Sequence, residues 1–360
     1  MEGYPLTRMP RSPSPFSIGN RPVGPGAPCF IIAEAGVNHN GDIRMAKQLV
    51  AAAADAGADA IKFQTFKAED LVTAGAEKAE YQKKDGTGST QLSMLRSLEL
   101  PDDAFRELAV YARKKKILFL STAFDDASLS LLAGLAVPAF KIPSGEITNL
   151  PLIGRIARLG KPVILSTGMS DLAEVGEAIA CLRKNGCEEI VLLHCTTCYP
   201  APLESVNLRI LDTFRETFGL PVGYSDHTEG VLVSVAAVAR GACLIEKHIT
   251  LDRMLKGPDH AASIEPAELK RMVAAIRDVE TALGSPEKQL QVCEAGNRDA
   301  ARKSIVAARA IPRGAVIDES MLALKRPGTG LSPAYLGEIV GRKAKAAIKK
   351  DTLVTRDMVA

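Results

Sequence analysis

From residue 30 to residue 283 the chain alternates between two kinds of pattern. Short runs of apolar or β-branched residues fall at 30–36, 60–66, 117–124, 139–146, 162–169, 190–197, 220–227 and 244–250. Between them apolar positions recur at helical spacing, as at 43–56, 102–115, 172–184, 208–217, 231–240 and 266–283. Runs that are apolar on both faces predict buried parallel strands, and the intervening segments predict the helices that cover them. Eight such units predict a closed (β/α)8 TIM barrel over 16–284 rather than an open doubly wound sheet. Local signals agree: Leu100-Pro101-Asp102-Asp103 and Ser170-Asp171 start helices, while Ala56-Gly57 and Lys184-Asn185-Gly186 stop them. Ahead of the first strand, a Pro/Gly-punctuated stretch at 16–29 predicts a short hairpin.

Three segments depart from this rhythm. Residues 67–100 are polar and Gly/Thr-spotted (Asp85-Gly86-Thr87-Gly88-Ser89-Thr90), a long connection expected to act as a lid or a substrate wall. Residues 285–301 are polar and charged and are expected to form a linker. From 302 to 360 a compact, Gly/Pro-broken segment predicts a small β-rich domain. The first fifteen residues carry Pro and Arg without an apolar core, so a disordered leader is expected there and a signal peptide is not.

Charge changes the picture more than composition does. The whole chain is only +3, but 302–360 holds 12 Lys and Arg against 5 Asp and Glu, so it carries +7 and leaves −4 to the rest. A basic module beside a barrel suggests a cover for an anionic ligand, with a generic solvated face as the plainer reading. Aromatics are too few, at 4%, to interleave with the basic residues as nucleic-acid binding would need. No apolar run approaches the roughly 20 residues that span a bilayer. Seven cysteines, an odd number without framework spacing, point to a reducing cytoplasm. Cys195-Thr196-Thr197-Cys198 is a lone CxxC that starts on a predicted strand, and it is assigned no zinc or redox role.

In a barrel of this type chemistry gathers at the C-terminal ends of the strands. Those ends offer Glu34, Lys62 with Gln64, Thr122, Lys141 with Ser144 and Glu146, Ser166 with Thr167, Thr197 with Tyr199, Ser225 with His227, and His248. Any one hydroxyl would pass as structural. Eight strands that all end in polar or ionisable groups would not, since apolar ends serve packing better. Lys62 and Lys141 among small hydroxyls suit a phosphate or carboxylate. His227 and His248 end two successive strands, so their imidazoles should emerge at one pole as ligands for a divalent metal with open positions. The plainer reading is a pair of buried, hydrogen-bonded histidines.

These residues sit in longer words. Ile32-Ala33-Glu34-Ala35-Gly36-Val37-Asn38-His39-Asn40-Gly41, Lys62-Phe63-Gln64, Lys141-Ile142-Pro143-Ser144-Gly145-Glu146 and Leu165-Ser166-Thr167-Gly168-Met169 resemble the sialic acid synthases. So do His194-Cys195-Thr196-Thr197 with Tyr199-Pro200, Gly223-Tyr224-Ser225-Asp226-His227-Thr228, Glu246-Lys247-His248, Gly257-Pro258-Asp259-His260 and Lys325-Arg326-Pro327-Gly328. The last word falls in a segment similar to that family's C-terminal antifreeze-like (SAF) domain.

The resemblance implies condensation of phosphoenolpyruvate with an N-acetylated amino sugar in its open aldehyde form. N-acetylmannosamine, giving N-acetylneuraminate and phosphate, is the primary expectation. It further implies that Lys62, Thr122, Lys141, Ser144, Ser166, Thr197 and Ser225 hold phosphoenolpyruvate, and that His227 and His248 hold Mn²⁺ or Mg²⁺. Gln64, Glu146, Tyr199, Asp259 and Arg326 would face the sugar, and Glu34 would transfer a proton near the reacting carbons. It also implies a domain-swapped homodimer in which Arg326 reaches the other chain's barrel. Position 197 is often Asn in N-acetylneuraminate synthases. Thr197, in a Thr-Thr-x-Tyr-Pro word, is also similar to legionaminate synthases, which use a 2,4-diacetamido-6-deoxy sugar. Two rivals differ more. A synthase for a phosphorylated aldose would want an additional Arg/Lys cluster, and a non-catalytic carbohydrate- or ice-binding protein would have no use for Glu34, both lysines and both histidines.

Overall fold

The computed structural model describes residues 14–79 and 90–360, so most of the expected leader, and Asp85–Ser89 of the Gly/Thr-rich stretch, lie outside the described residues. An antiparallel hairpin, β1 (Phe16–Ile18) and β2 (Arg21–Val23), opens the described chain where the Pro/Gly punctuation predicts one. Then β3 (Phe30–Gly36), β4 (Ala60–Thr65), β5 (Leu118–Ala123), β6 (Phe140–Ile142), β7 (Val163–Ser166), β8 (Ile190–Cys195), β9 (Val222–Asp226) and β10 (Leu244–His248) run parallel and in order, and β10 closes on β3. The eight-stranded barrel is therefore the architecture the apolar pattern predicts.

Helices cover the outside: α1 (Ile43–Ala56), α2 (Ala68–Leu71), α3 (Gln91–Leu98), α4 (Asp102–Lys114), α5 (Asp126–Gly134), α6 (Leu150–Ala157), α7 (Leu172–Lys184), α8 (Ile210–Phe218), α9 (Leu232–Ala239) and α10 (Pro266–Leu283). Their starts follow from side-chain chemistry. Asp42 and Asp171 accept backbone N–H groups at the first turns of α1 and α7, and Asp125 does so for α5. Among the described residues no helix is long and apolar enough to cross a membrane.

Alternation along the strands sorts the apolar side chains into two separate cores. Ile31, Ala33, Ile61, Phe63, Phe119, Leu165, Leu192, Tyr224 and Ile245 point outward and pack with the helices. Phe30, Ile32, Ala60, Leu120, Ala139, Ile164, Val191, Leu193 and Leu244 point inward, and Ile18 and Val23 of the hairpin join them. One step further along, the inward positions are Glu34, Lys62, Gln64, Thr122, Lys141, Ser166, Cys195, Ser225, Glu246 and His248. The interior thus changes from hydrocarbon to polar and charged groups toward the C-terminal ends of the strands.

The predicted strand limits run long at several places, among them 162–169, whose strand ends at Ser166. Residues 139–146 yield a strand only to Ile142, because Pro143 has no N–H to continue the ladder and Ser144–Glu146 turn as a 3-10 helix. The run 190–197 leaves the sheet after Cys195, which places Thr197 and Tyr199 on the loop beyond β8. Over 67–100, α2 and α3 flank the undescribed segment, and Ala68, Met94, Leu95 and Leu98 pack with Val37 and Phe66 beside the ends of β3 and β4.

The chain divides into two compact units after Gly284. Beyond it, α11 (Ala295–Ala301) occupies part of the stretch expected as a linker. The second unit pairs β11 (Ser304–Ala307) with β12 (Leu322–Lys325) and adds short bridges, such as Ile311 to Ile348, and the helical turn α12 (Leu336–Ile339). Its own core comprises Ile305, Ile311, Ile317, Leu322, Ile339, Ile348, Val354 and Val359.

Candidate active site

Register fixes which strand ends meet. Glu34 on β3 lies between His248 on β10 and Lys62 on β4, Gln64 pairs with Thr122, and Thr122 pairs with Lys141. The side chains continue this contact. Lys62 Nζ stands 2.7 Å from Glu34 Oε2 and 3.7 Å from Glu246 Oε2, and it donates to Thr122 Oγ1 at 3.1 Å. Lys141 Nζ is 3.2 Å from Glu246 Oε1, which also accepts from Ser225 Oγ at 3.2 Å. All four charged groups are at most 4% exposed.

Burying four charges is costly unless they pair. Here two ammonium groups face two carboxylates. Glu246 was not singled out as a site residue from the sequence, although it stands two positions before His248 and period-two alternation aims both inward. Burial works against its carboxylate, but Lys141 and Lys62 outweigh that and hold it down at about 2. Glu34 is dominated by burial, which the Lys62 ammonium only partly offsets, so its carboxyl is pushed up to about 7. When Glu34 carries a proton, the ring has one positive charge left over for an anion. The two lysines are therefore not the free cations a strand-end reading suggests. Lys141→Ala would strand Glu246 as well as remove an anion contact.

A second group of expected residues meets at the neighbouring strand ends. Ser144 Oγ accepts from Gly168 N–H at 2.9 Å and lies 3.1 Å from Cys195 Sγ. A Cβ built on Gly168 would fall 2.1 Å from Thr197 Oγ1, so only glycine admits this approach. Ser166 Oγ and Thr197 Oγ1 are buried without a hydrogen-bond partner. Such orphaned groups are uncommon, and a ligand that completes them is one explanation. Cys198, the other half of the CxxC, is exposed, and both thiols are free.

The imidazoles form the third group. The ring centroids of His227 and His248 are 5.6 Å apart, and the Tyr199 ring lies 4.3 Å from the first and 5.9 Å from the second. His227 Nδ1 is 2.8 Å from the Thr196 carbonyl oxygen. A carbonyl can only accept, so Nδ1 carries the proton and Nε2 keeps its lone pair. Burial, first of all, lowers both imidazoles below the usual range and keeps them neutral. Asp259 Oδ2 lies 3.9 Å from His248 Nδ1, which has no hydrogen-bond partner. Two neutral imidazole nitrogens are residues that could hold a divalent ion, with the rest of its shell left to water and substrate. Among the described residues no group of three or more His, Cys, Asp or Glu is placed to hold a metal.

Two of the other histidines are held by bonds within the scaffold. His194 Nε2 meets the Val206 carbonyl, and His260 joins Thr250 and Asn40, latching the loop after β10 to the loop after β3. Of the residues expected at the sugar, Gln64 is half-buried at the end of β4. Glu146 accepts from Asn149 Nδ2 at 2.7 Å. Arg326 is exposed in the second unit, at the end of β12, with its Nε donating to the Ala301 carbonyl at 3.0 Å. A groove of about 770 Å³ opens at the opposite, N-terminal pole of the barrel, lined by Pro25, Cys29, Arg215, Leu220, Cys243 and Leu283. It touches none of these side chains, and barrel chemistry gives no reason to place the site there.

The profile of the NeuB family matches residues 49–288, and that of the SAF domain matches 302–360. The N,N'-diacetyllegionaminic acid synthase of Campylobacter jejuni is 50% identical over 328 residues, 90% of this chain and 98% of that protein. The N-acetylneuraminate-9-phosphate synthase of Homo sapiens is 39% identical over 342 residues, 94% of each. Among solved structures, the N-acetylneuraminic acid synthetase of Leptospira borgpetersenii, crystallised with citrate, matches with a TM-score of 0.71 at 35% identity. That match covers 79% of this chain and 95% of the other.

Proposed function

This chain belongs to the NeuB family, and from that premise we propose that it condenses phosphoenolpyruvate with an N-acetylated amino sugar in its open aldehyde form. The observation that carries the reading is the meeting, at one barrel pole, of the Glu34–Lys62–Glu246–Lys141 ring with the His227–His248 pair. Lys62 and Lys141 bind the phosphate and carboxylate of phosphoenolpyruvate, and Thr122, Ser144, Ser166, Thr197 and Ser225 supply hydroxyls around it. Its C3 attacks the aldehyde carbon, forming the C–C bond, and positive charge develops at C2. Water adds at C2, and the Glu34 carboxylate takes the proton that water gives up and passes it to the former aldehyde oxygen, which ends as a hydroxyl. The tetrahedral centre then collapses: its C2 hydroxyl becomes the ketone, the hydroxyl proton goes to the departing phosphate, and a 2-keto acid is left. Glu246 anchors both ammonium groups and limits the ring's charge, so that product phosphate can leave. A divalent ion held by His227 and His248 would supply Lewis-acid polarisation of the aldehyde.

For the sugar, the reading favoured is a 2,4-diacetamido-6-deoxy substrate, with a legionaminate-type product. Thr197, with its unpartnered hydroxyl beside Gly168, and the 50% identity to a legionaminic acid synthase support it. N-acetylmannosamine is the second reading, supported by the likeness to the Leptospira synthetase. The test is phosphate release from phosphoenolpyruvate with Mn²⁺, compared among the diacetamido sugar, N-acetylmannosamine and its 6-phosphate. Turnover should be fastest with the first. Fastest turnover with N-acetylmannosamine selects the second reading, and no phosphate release with any of the three removes the synthase reading.

Arg326 we assign to the sugar as a contact contributed by a second copy of the chain in a homodimer. The concentration of +7 in 302–360 supports a cover for an anionic site. His227→Ala and Arg326→Ala should each be inactive alone, whereas co-refolded heterodimers should recover activity at the one composite site left intact. Verified heterodimers that stay inactive would show that Arg326 does not act across chains.

A further inference from the structure

Behind the two imidazoles, on the outer face of the same strands, lies a second pair of charges. Asp226 on β9 and Lys247 on β10 face each other in register, Oδ2 to Nζ at 3.0 Å, and both side chains are 0% exposed. Each immediately precedes one of the histidines. Lys247 Nζ also donates to the Thr228 carbonyl at 2.5 Å. Asp226 Oδ1 accepts from both the N–H and the hydroxyl of Thr228, at 2.9 and 2.7 Å, and Oδ2 accepts from Ser234 Oγ of α9 at 2.6 Å.

This knot does not touch the mouth, since successive residues on a strand point to opposite faces. It nevertheless brackets His227 from both sides, because Asp226 and Thr228 are both bound into it. It ties that bracket to Lys247, the residue before His248. An apolar pair in the same space would commonly serve stability as well or better, so a fully buried ion pair calls for another use. We propose that Asp226 and Lys247 are positioning residues that set the spacing and orientation of the His227 and His248 imidazoles for the divalent ion. The proposal rests on the metal reading given above.

The test measures Mn²⁺ affinity directly, by titration of chelator-treated protein followed by electron paramagnetic resonance. Foldedness is checked on the same samples by near-UV circular dichroism. Wild type should bind and His227→Ala should lose binding. Lys247→Met, where folded, should bind about 10- to 100-fold more weakly, the usual scale for losing a partner that orients a ligand. Ser234→Ala keeps the ion pair and removes one hydrogen bond to it, and should weaken binding about threefold. If wild type does not bind, or His227→Ala binds equally well, the metal reading fails and the clamp falls with it. If those two behave as expected but folded Lys247→Met binds as wild type does, the clamp alone is overturned. Should Lys247→Met not fold, Ser234→Ala decides by the same comparison: weaker binding supports the clamp, and unchanged affinity overturns it.

Discussion

His227→Ala is expected to abolish turnover, and EDTA should do the same to the wild-type enzyme. The imidazole is neutral, its Nδ1 is committed to the Thr196 carbonyl, and Nε2 is the nitrogen left to bind an ion beside His248. A Lewis acid at a polarised carbonyl contributes several kcal/mol to the transition state. Its loss therefore corresponds to about a thousandfold or more in rate, at roughly 1.4 kcal/mol per factor of ten. Adding Mn²⁺ or Mg²⁺ back should restore the chelated wild type and not the variant, measured as phosphate release. Full turnover by metal-free enzyme would remove the ion from the reaction.

Glu34→Gln should lower kcat by about 10² to 10⁴, the range for a lost acid–base group, with little change in fold or in Mn²⁺ affinity. The substitution keeps the shape of a side chain that is 1% exposed while removing its titration. Burial has pushed that carboxyl up to about 7. The wild-type kcat/KM profile should accordingly bend near that pH, and the bend should vanish in the residual rate of the variant. A variant profile that keeps the bend assigns it to another group, and an unchanged kcat releases Glu34 from proton transfer.

Much of this was legible in the chain because one physical rule served twice. Strands buried on both faces must be apolar on both, so a Lys or Glu near the end of such a run is conspicuous. Glu34, Lys62, Lys141, His227 and His248 all stood out in this way. Glu246 was equally legible by alternation from His248, but attention to the last residue of each strand passed over the one two places earlier. What no pattern announced was pairing. Lys62 and Lys141 look like free cations in a sequence; the β3–β4 register sets Glu34 beside Lys62, and the closure of β10 onto β3 brings Glu246 to both lysines. The overlong strands at 139–146 and 190–197 share a cause. Apolar and β-branched residues continue past the point where Pro143, or the turn after Cys195, ends the ladder.

The hydrocarbon layers beneath the charged ring have a consequence for proton traffic. Ile32, Ala60, Leu120, Ile164, Val191, Leu193 and Leu244, together with Ile18 and Val23, are buried hydrocarbon that offers a proton no polar group to move along. In the proposed reaction a proton taken by Glu34 would therefore be passed on at the mouth, where the former aldehyde oxygen needs one to become a hydroxyl. The product would carry that proton away with it, and Glu34 would be reset with no exchange through the barrel.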